Sequence, residues 1–349
     1  MPSKPPEPAP QRRVIRGADD ITADWLSRAL GQPVLQFSAR SEASNWSSQI
    51  PLTVRLADGG SLAHLRAAHA GMSPSGGPAV SCALRLKVCL GSTFGRSEVD
   101  YYTRDYVGLA NAPLVRCHDA AYEAGVGYHL LLDDLAATHH DRRDVPPTLA
   151  YGLAVAEALG RMHRHHWASQ PAPDPAALDR YFAEIRPGIE VIEHLTGRRF
   201  RARFEAHEQA QRARWADPRG MSLLHGDLNA TNILTPKVAQ APVIFLDRQP
   251  FDWSLTYGVA AHDLAYFLVL SWPPQLRQRC EEALLRCWHE ALGQPGYGWS
   301  EAQADWALAV EQCLHVPFEW CSKPDTVTRM RWLWQAQLSR VQAALDCRP

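Results

Sequence analysis

The sequence predicts an α+β protein of two parts, a β-rich part followed by a mainly helical part. Up to residue 133, short runs alternate between apolar and polar residues, as half-buried strands do, and turn-forming residues separate them. From residue 146 onward, apolar residues instead recur at the three- and four-residue spacing of helices. The length of 349 residues suits two domains or one large two-lobed unit.

Three segments follow from these patterns. Residues 1–18 begin with a Pro-rich stretch that cannot build a core, so we expect this tail to be disordered. Residues 19–145 form the β-rich domain, for which we expect a sheet of mixed strand directions. Residues 146–349 form the mainly helical domain.

The individual elements follow from the same periodicities. In the β-rich domain we expect a short helix at 19–31 and strands at 33–37, 52–56, 80–89, 114–122 and 128–132. In the helical domain we expect helices at 148–167, at 175–215 (two), at 262–272 and throughout 275–346, and an irregular loop at 251–259.

Composition argues against several classes of function. A formal net charge of −1 gives no support to a general nucleic-acid binder. No apolar run approaches the ~18 residues of a membrane span and nothing resembles a signal peptide, so we expect a cytoplasmic protein without membrane contacts. The eight cysteines form no C-x-x-C pair, which favours free thiols. His163, His165 and His166 lack further metal ligands at suitable spacing, which favours structural or solvated histidines.

One stretch carries the strongest functional signal. His225-Gly226-Asp227 follows an apolar run, Asn232 lies five positions after Asp227, and a second apolar run ends in Asp247. Phosphoryl transfer needs a carboxylate that orients the attacking hydroxyl, and oxygen ligands that hold Mg²⁺. The catalytic loop of kinases places these groups at this separation. The pattern therefore predicts Asp227 as the catalytic base and Asn232 and Asp247 as Mg²⁺ ligands.

With Leu246-Asp247-Arg248-Gln249 and His262-Asp263-Leu264-Ala265-Tyr266-Phe267, this motif resembles the aminoglycoside phosphotransferase and choline/ecdysteroid kinase-like family. The resemblance implies a protein-kinase-like bilobal fold and transfer of the ATP γ-phosphate to a hydroxyl of a small molecule, with Mg²⁺. It also implies that Asp263, together with His225, supports the catalytic loop. Arg248 stands where the family often has an aromatic residue; it either adds charge near the phosphates or forms a surface salt bridge.

A second pair of residues points to the nucleotide. Lys87 lies on the strand expected at 80–89, and Glu98 opens a helix eleven positions later. In kinases a strand lysine contacts the α- and β-phosphates and a helix glutamate holds its ammonium in place. The order and spacing therefore predict that Lys87 binds phosphate and that Glu98 positions Lys87.

Two further nucleotide contacts are predicted from position in the chain. Loop 40–48 lies where a phosphate-covering loop belongs, and Ser47 and Ser48 offer hydroxyl donors. The loop lacks glycine, so a plain polar hairpin loop remains the alternative. Asp133 and Leu135 lie where, in the resembled family, backbone groups of the hinge bind adenine.

The acceptor is predicted to be a small molecule with a hydroxyl group. Only Glu311, Glu319 and Asp325 supply carboxylates in the region that would bind it, which favours a less charged, partly apolar alcohol over a polycationic aminoglycoside. Two alternatives remain open: a non-catalytic nucleotide-binding pseudokinase, and nucleotidyl rather than phosphoryl transfer on the same fold.

Overall fold

The computed structural model describes residues 13–43, 47–56, 80–168, 174–238 and 241–347. The chain forms two compact units that are not simple halves of the sequence. The first unit contains Met1–Val107, Val115–His139 and Pro250–Asp252. The second contains Gly108–Leu114, His140–Gln249 and Trp253–Pro349.

The first unit is built on one sheet. Its strands are β1 (Val34–Ala39), β2 (Glu42–Ala43), β3 (Ser48–Leu56), β4 (Val80–Leu90), β5 (Cys117–Glu123) and β6 (Gly127–Asp133). The order is β1-β3-β4-β6-β5, with β2 paired to β3. The described pairings are all antiparallel, whereas we expected mixed directions. The β-rich character predicted for this part of the chain is confirmed.

The two central strands, β3 and β4, place the functional lysine. Alternate residues of each strand, such as Leu52 on β3 and Leu84, Leu86 and Val88 on β4, are buried in one apolar core. Because successive side chains of a strand point to opposite faces, Lys87 faces away from that core. Lys87 is itself buried, so the opposite face of β4 must supply it with a partner.

Helical segments cover part of this sheet. They are a 3₁₀ turn (Ala18–Asp20), α1 (Ala23–Leu30) and α2 (Ser97–Asp100), which continues as a π-helical segment at Tyr101–Asp105. Helix α1 begins where the Thr22 hydroxyl accepts the Trp25 N–H at 3.1 Å, and it ends at Gly31 in a left-handed conformation. Leu26 and Leu30 bury its apolar stripe in the core.

The predicted disordered tail lies mostly at residues 1–12, outside the described part of the chain. Its last residues, 13–18, are described, and the prediction of disorder is wrong for them. Val14 and Ile15 are buried, and the Ile15 N–H donates to His129 Nδ1 at 3.0 Å. Two β-branched side chains that reach the core therefore outweigh the polar composition around them.

The second unit is mainly helical, as predicted. Its helices are α3 (Leu149–His165), α4 (Pro175–Thr196), α5 (Arg201–Arg214), α6 (Ala261–Ser271), α7 (Pro274–Leu292), α8 (Trp299–Gln312), α9 (His315–Cys321), α10 (Pro324–Arg329) and α11 (Arg331–Asp346). Among the described helices, none is both long and apolar enough to cross a membrane.

Helix α6 lies at the centre of this unit. Every residue from Ala261 to Leu270 is buried, and the helix packs against α8 and α11. A helix that is apolar on all sides is stable only when neighbours cover all of it. Of the polar side chains near its start, Asp263 and Tyr266 are therefore directed at other buried groups rather than at bulk water.

Five short strands complete the described elements. They are β7 (His139–His140), β8 (Met221–Leu223), β9 (Ile233–Pro236), β10 (Ile244–Phe245) and β11 (Tyr257–Val259). Strands β9 and β10 form an antiparallel pair, and β11 pairs antiparallel with β8. The prediction of an irregular loop at 251–259 is therefore wrong for its last three residues, which form β11. Three residues with a central glycine are too short for a period-two pattern to be recognised.

Candidate active site

The loop between β8 and β9 carries the predicted catalytic residues. Its first residue is anchored by the Leu224 N–H, which donates to the Thr256 carbonyl at 2.9 Å. Gly226 then adopts φ +78°, and a Cβ at that position would lie 3.0 Å from Cβ of Gln249. A side chain there would be strained by both conformation and space. Glycine therefore lets the loop pass close to the segment that follows β10.

Asp227 is held by three neutral donors. The Tyr266 hydroxyl donates to Oδ1 at 2.7 Å, and the Asn229 amide donates to the same oxygen at 2.9 Å. The Asn232 amide donates to Oδ2 at 3.1 Å. Loss of hydration raises the pKa of Asp227 to about 6 and the charge of Asp247 adds to the rise, while the three donors oppose it. A carboxylate with such a pKa is ionised at neutral pH and still basic enough to accept a proton.

Asn232 is oriented by its contacts with Asp227. Its Nδ2 donates both to the Asp227 side chain and to the Asp227 backbone carbonyl, the latter at 2.8 Å. With Nδ2 used in this way, the oxygen Oδ1 lies on the other side of the amide, where the Thr231 hydroxyl approaches it at 3.3 Å. The side chain thus presents an oxygen, the atom type that Mg²⁺ prefers.

Asp247 follows β10 in an unusual backbone conformation. Its φ is +57°, in the left-handed region that few non-glycine residues adopt. Hydrogen bonds on both sides stabilise this turn: Leu246 N–H donates to the Asn232 carbonyl at 2.8 Å, and Gln249 N–H donates to the His225 carbonyl at 2.9 Å. Local strain of this kind concentrates at functional sites. The turn keeps Asp247 near enough for its charge to act on Asp227.

His225 connects the two segments. Its ring Nε2 donates to the Leu246 carbonyl at 2.7 Å, and its Nδ1 accepts the Asp227 N–H at 3.3 Å. This pattern assigns a neutral ring with the proton on Nε2. Burial lowers the pKa of His225 to about 4, which is consistent with a neutral ring. His225 therefore fixes the distance between the loop that carries Asp227 and the turn that carries Asp247.

Asp263 supports the catalytic loop from helix α6. Its two carboxylate oxygens accept the His225 N–H at 2.7 Å and the Gly226 N–H at 2.9 Å. His163 Nε2 lies 3.1 Å from Oδ2, and the indole of Trp288 donates to His163 Nδ1 at 3.0 Å. Burial by itself would raise the pKa of Asp263, but the bonds from His163 and the loop lower it to about 2. The aspartate therefore stays ionised and holds the loop backbone.

Arg248 does not form the surface salt bridge that was one of its two predicted roles, and a contribution of its charge near the phosphates stays a prediction. Its side chain is buried, and its guanidinium donates to the Leu224 carbonyl at 2.8 Å and to the Thr256 carbonyl at 2.9 Å. A surface salt bridge is excluded by this burial. These two bonds connect the turn after β10 to Leu224, which follows β8, and to Thr256, which precedes β11.

In the first unit, Lys87 and Glu98 form a buried ion pair. The ammonium of Lys87 lies 2.9 Å from each carboxylate oxygen of Glu98. The side chains are only 8% and 0% exposed. The Tyr128 hydroxyl also donates to Glu98, and burial together with the charge of Glu98 raises the pKa of that hydroxyl. The pairing expected from the spacing of the two residues is present.

The predicted phosphate loop lies partly outside the described residues, because 44–46 are not among them. Ser47 Oγ accepts the side-chain amide of Gln49 at 3.1 Å. Ser48 lies on β3, where it pairs with Ala43 and Val88. A role for Ser47 and Ser48 in phosphate binding stays a prediction.

The predicted hinge residues have partners within the first unit. The Asp133 carboxylate lies 2.6 Å from His118 Nε2. The Leu135 carbonyl accepts the N–H groups of Thr138 and His139 at 2.9 and 2.8 Å. Adenine binding by this segment also stays a prediction.

The second unit thus brings five predicted residues together: His225, Asp227, Asn232, Asp247 and Asp263. Sequence reasoning missed three further members, namely Asn229, Tyr266 and His163. Asn229 is a polar residue only two positions from Asp227, and this closeness in sequence could have predicted that its side chain contacts Asp227. Tyr266 lies within an apolar helix and reads as a core aromatic, and His163 lies 100 positions before Asp263.

A comparison with known protein families identifies the family of this chain. A sequence model described as the phosphotransferase enzyme family, APH, matches residues 107–303, which is more than half of the chain. The chain belongs to this family. The matched segment contains the whole catalytic loop, the turn at Asp247 and Asp263, whereas Lys87 and Glu98 lie before it. Membership of the phosphotransferase family therefore rests on the second unit for the most part.

Solved structures resemble this phosphotransferase family member at low sequence identity. A glucosamine kinase in complex with glucosamine, ADP and phosphate has a TM-score of 0.47 and 15% identity, covering 93% of this chain and 97% of that chain. An aminoglycoside-3'-phosphotransferase of type VIII has a TM-score of 0.44 and 18% identity, covering 72% and 97%. A Plasmodium vivax ethanolamine kinase has a TM-score of 0.49 and 10% identity, covering 87% and 81%. No curated protein sequence matches the chain.

Proposed function

We propose that the protein is an ATP- and Mg²⁺-dependent kinase that transfers the γ-phosphate to a hydroxyl group of a small molecule. One observation carries the proposal: the loop that presents Asp227 also presents Asn232, and the neighbouring turn adds Asp247. Membership of the phosphotransferase family supports it.

Asp227 is proposed to orient the acceptor hydroxyl and to accept its proton. Two donors occupy Oδ1, and a single amide reaches Oδ2. Oδ2 therefore keeps more of its acceptor capacity for a substrate hydroxyl. Because the pKa of Asp227 is about 6, the ionised form needed for this task predominates at neutral pH.

Asn232 and Asp247 are proposed to hold Mg²⁺. Both offer oxygen atoms, and Mg²⁺ in nucleotide sites is commonly held by one or two protein groups together with the substrate phosphates. In the described parts of the chain there is no cluster of three His, Cys, Asp or Glu side chains that would form a complete protein cage. The donor set fits a cation that arrives with its nucleotide, which Mg²⁺ does, and the bound ion would neutralise phosphate charge.

The first unit is proposed to bind the nucleotide. Lys87 would neutralise charge on the phosphates, and Glu98 would keep its ammonium in place, as the 2.9 Å contacts allow. Ser47 and Ser48 are proposed as additional phosphate donors, and the segment at Asp133 and Leu135 as the adenine contact. Arg248 supports the loop of the second unit in this proposal.

The decisive experiment is a turnover assay with product identification. Purified protein is incubated with ATP, with or without MgCl₂, and with a panel of small alcohols. ADP release is measured, and the mass of the acceptor product is determined by mass spectrometry. We expect Mg²⁺-dependent gain of one phosphoryl group. Gain of AMP would establish nucleotidyl transfer instead. Nucleotide binding without product for any acceptor would indicate a pseudokinase.

A further inference from the structure

One face of the sheet in the first unit is open next to Lys87. Leu84 and Leu86 of β4 are buried in the apolar core, so Arg85 and Lys87 both lie on the opposite face. Lys87 is buried there, whereas the side chain of Arg85 is 36% exposed. Pro51, which pairs with Arg85 on the neighbouring strand β3, is also partly exposed. The accessible part of this face therefore surrounds Arg85.

Asp134 holds the guanidinium of Arg85 at this surface. Arg85 Nη2 donates to Asp134 Oδ2 at 3.0 Å. Asp134 is itself fixed, because its Oδ1 accepts the Ala136 N–H at 2.8 Å and its own N–H donates to the Ala83 carbonyl at 3.2 Å. The carboxylate is only 14% exposed. The plane of the Arg85 guanidinium is thus positioned by a carboxylate that has little freedom to move.

Most of the guanidinium is available for another contact. Within the part of the chain that the structure describes, Asp134 is the only hydrogen-bonding partner of the Arg85 side chain. Its Nε and Nη1 donors therefore have no partner there. The ion pair also adds little to the sheet, because β4 and β6 already pair continuously from Leu84 to Leu90. A ligand contact explains the exposed, oriented guanidinium better than a link between two strands does.

The position of Arg85 indicates which part of a nucleotide would meet it. Under the proposed function Lys87 neutralises the phosphates, and the segment 133–135 contacts the base. Arg85 lies two residues from Lys87, roughly 7 Å along the strand, on the side of Leu84, which pairs with Asp133. A nucleotide that extends from Lys87 to the segment 133–135 therefore meets Arg85 with its base end rather than with its phosphates.

We propose that Arg85 is a nucleotide-binding residue whose guanidinium, positioned by Asp134, stacks on a purine base. This inference rests on the proposed kinase function and deepens it at the nucleotide site. A guanidinium is planar and cationic, and it stacks favourably on aromatic faces. Adenine and guanine offer similar faces, so this contact selects purines over pyrimidines without distinguishing ATP from GTP.

The test measures binding to the full-length protein by calorimetry, with ADP, GDP, CDP and tripolyphosphate as ligands. Tripolyphosphate carries the phosphates without a base. In the wild type we expect ADP and GDP to bind with similar affinity and CDP on the order of 10-fold more weakly, because a pyrimidine covers less of the guanidinium plane. Arg85→Lys keeps the charge and loses the plane. It should weaken ADP and GDP on the order of 10-fold and leave tripolyphosphate unchanged.

A second pair of variants tests the positioning role of Asp134. Asp134→Asn should weaken ADP binding, by less than Arg85→Ala does, because the guanidinium remains but is less firmly oriented. In the background of Arg85→Ala, Asp134→Asn should cause no further loss, since its effect acts through Arg85. Additive losses would mean that Asp134 acts on the nucleotide independently, which overturns its positioning role.

Arg55→Lys is the matched control, because Arg55 is an exposed arginine on the same face, paired with Ser81 at four positions from Arg85. Thermal unfolding checks that all variants fold, and Arg55→Lys should change no affinity. Unchanged ADP and GDP affinity in Arg85→Lys overturns the inference. A loss of tripolyphosphate affinity in Arg85→Lys or Arg85→Ala as large as that of ADP also overturns it, since Arg85 would then bind phosphate.

The remaining outcomes separate the base contact from the kinase function. CDP binding as tight as ADP binding in the wild type overturns purine stacking, and so does the absence of binding by every nucleotide. Arg85-dependent purine binding without a phosphorylated product for any acceptor would keep the base contact and remove the kinase. Phosphoryl transfer with an ATP affinity that does not depend on Arg85 would keep the kinase and remove the base contact.

Discussion

Lys87 and Glu98 in the first unit, and Asp227 with its neighbours in the second, are two buried charged arrangements of opposite design. Each charge of the first has its counter-charge at 2.9 Å. The carboxylate of Asp227 instead receives hydrogen bonds from a phenol and two amides, which are all neutral. The first arrangement is balanced within the protein, whereas the donors that hold Asp227 supply no counter-charge.

The difference shows in what each arrangement needs from a ligand. A balanced buried pair costs much to break and little to leave alone, so it positions its lysine in the absence of nucleotide. At Asp227, burial and the charge of Asp247 raise the pKa, which is the signature of an environment short of positive charge. The ion pair of the first unit therefore needs no ligand to balance it, whereas Asp227 lies in an environment that a cation would stabilise. The predictions below test each side of this contrast.

The largest effect is expected for Asp227→Asn, which removes the proposed base but keeps the shape of the side chain. Turnover should fall by about 10²–10⁴-fold, the usual contribution of a general base, while nucleotide binding stays intact. ADP release and nucleotide titration measure the two properties separately. Asp217→Asn, at an exposed ion pair with Arg219, serves as the control. Unimpaired turnover in Asp227→Asn would remove Asp227 from its role.

Much of this site follows from local sequence, because His225, Asp227 and Asn232 share one loop. Their spacing alone brings them together once strands are placed on both sides. The residues that hold this loop from other elements could not be predicted from local sequence. His163 and Asp263 are 100 positions apart and Tyr266 is 39 positions from Asp227, so only tertiary packing pairs them.

Prediction of the fold from sequence has the same limit, because short elements depend on residues far away in the chain. Long periodic segments, such as β4 and α3, agree with the predicted elements because ten or more residues repeat one pattern. Strand β11 and the buried residues Val14 and Ile15 were missed, because each involves only two or three residues, which are too few to show a periodic pattern. Their structure comes from partners elsewhere in the chain, the strand β8 and His129.

The second-largest effect concerns the ion pair of the first unit. Glu98→Gln leaves the Lys87 ammonium buried without a counter-charge, so the free energy of unfolding should fall by about 3–5 kcal/mol. Adding Lys87→Met should recover much of that loss while nucleotide binding stays weak. Chemical denaturation measures the stability of each variant.

The control for this pair is Asp100→Asn at the end of α2, which breaks partly exposed pairs with Arg96 and Arg104. Such a pair contributes about 1 kcal/mol or less. If Glu98→Gln were as mild as this control, the first unit would not depend on its balanced pair, and the contrast between the two arrangements would fail.

A smaller effect is expected for Asp247→Asn. Asparagine tolerates the left-handed backbone at this position, so the variant tests charge rather than strain. The gain in nucleotide affinity that MgCl₂ produces should fall on the order of 10²-fold, because one anionic oxygen ligand is replaced by a neutral one. Calorimetry with a non-hydrolysable ATP analogue, with and without MgCl₂, measures this. Asp325→Asn, at an exposed residue of α10, should change nothing. An Mg²⁺ effect that survives in Asp247→Asn would mean that the ion is held elsewhere.

The smallest expected effect, and the most specific, is a shift of pH dependence in Tyr266→Phe. The Tyr266 hydroxyl donates to Asp227 at 2.7 Å and stabilises its ionised form. Without this donor the pKa of Asp227 rises further above its ordinary value. The acid limb of kcat/KM, expected near pH 6 in the wild type, should therefore move to higher pH, and activity should recover as the pH is raised.

A structural role for Tyr266 would predict something different, namely a loss of activity at every pH. Tyr151→Phe provides the matched control, because its hydroxyl is buried in the same unit and has no hydrogen-bonding partner among the described residues. If the acid limb does not move in Tyr266→Phe, neutral donors do not tune Asp227. The pKa of Asp227 would then be set by burial and by the charge of Asp247.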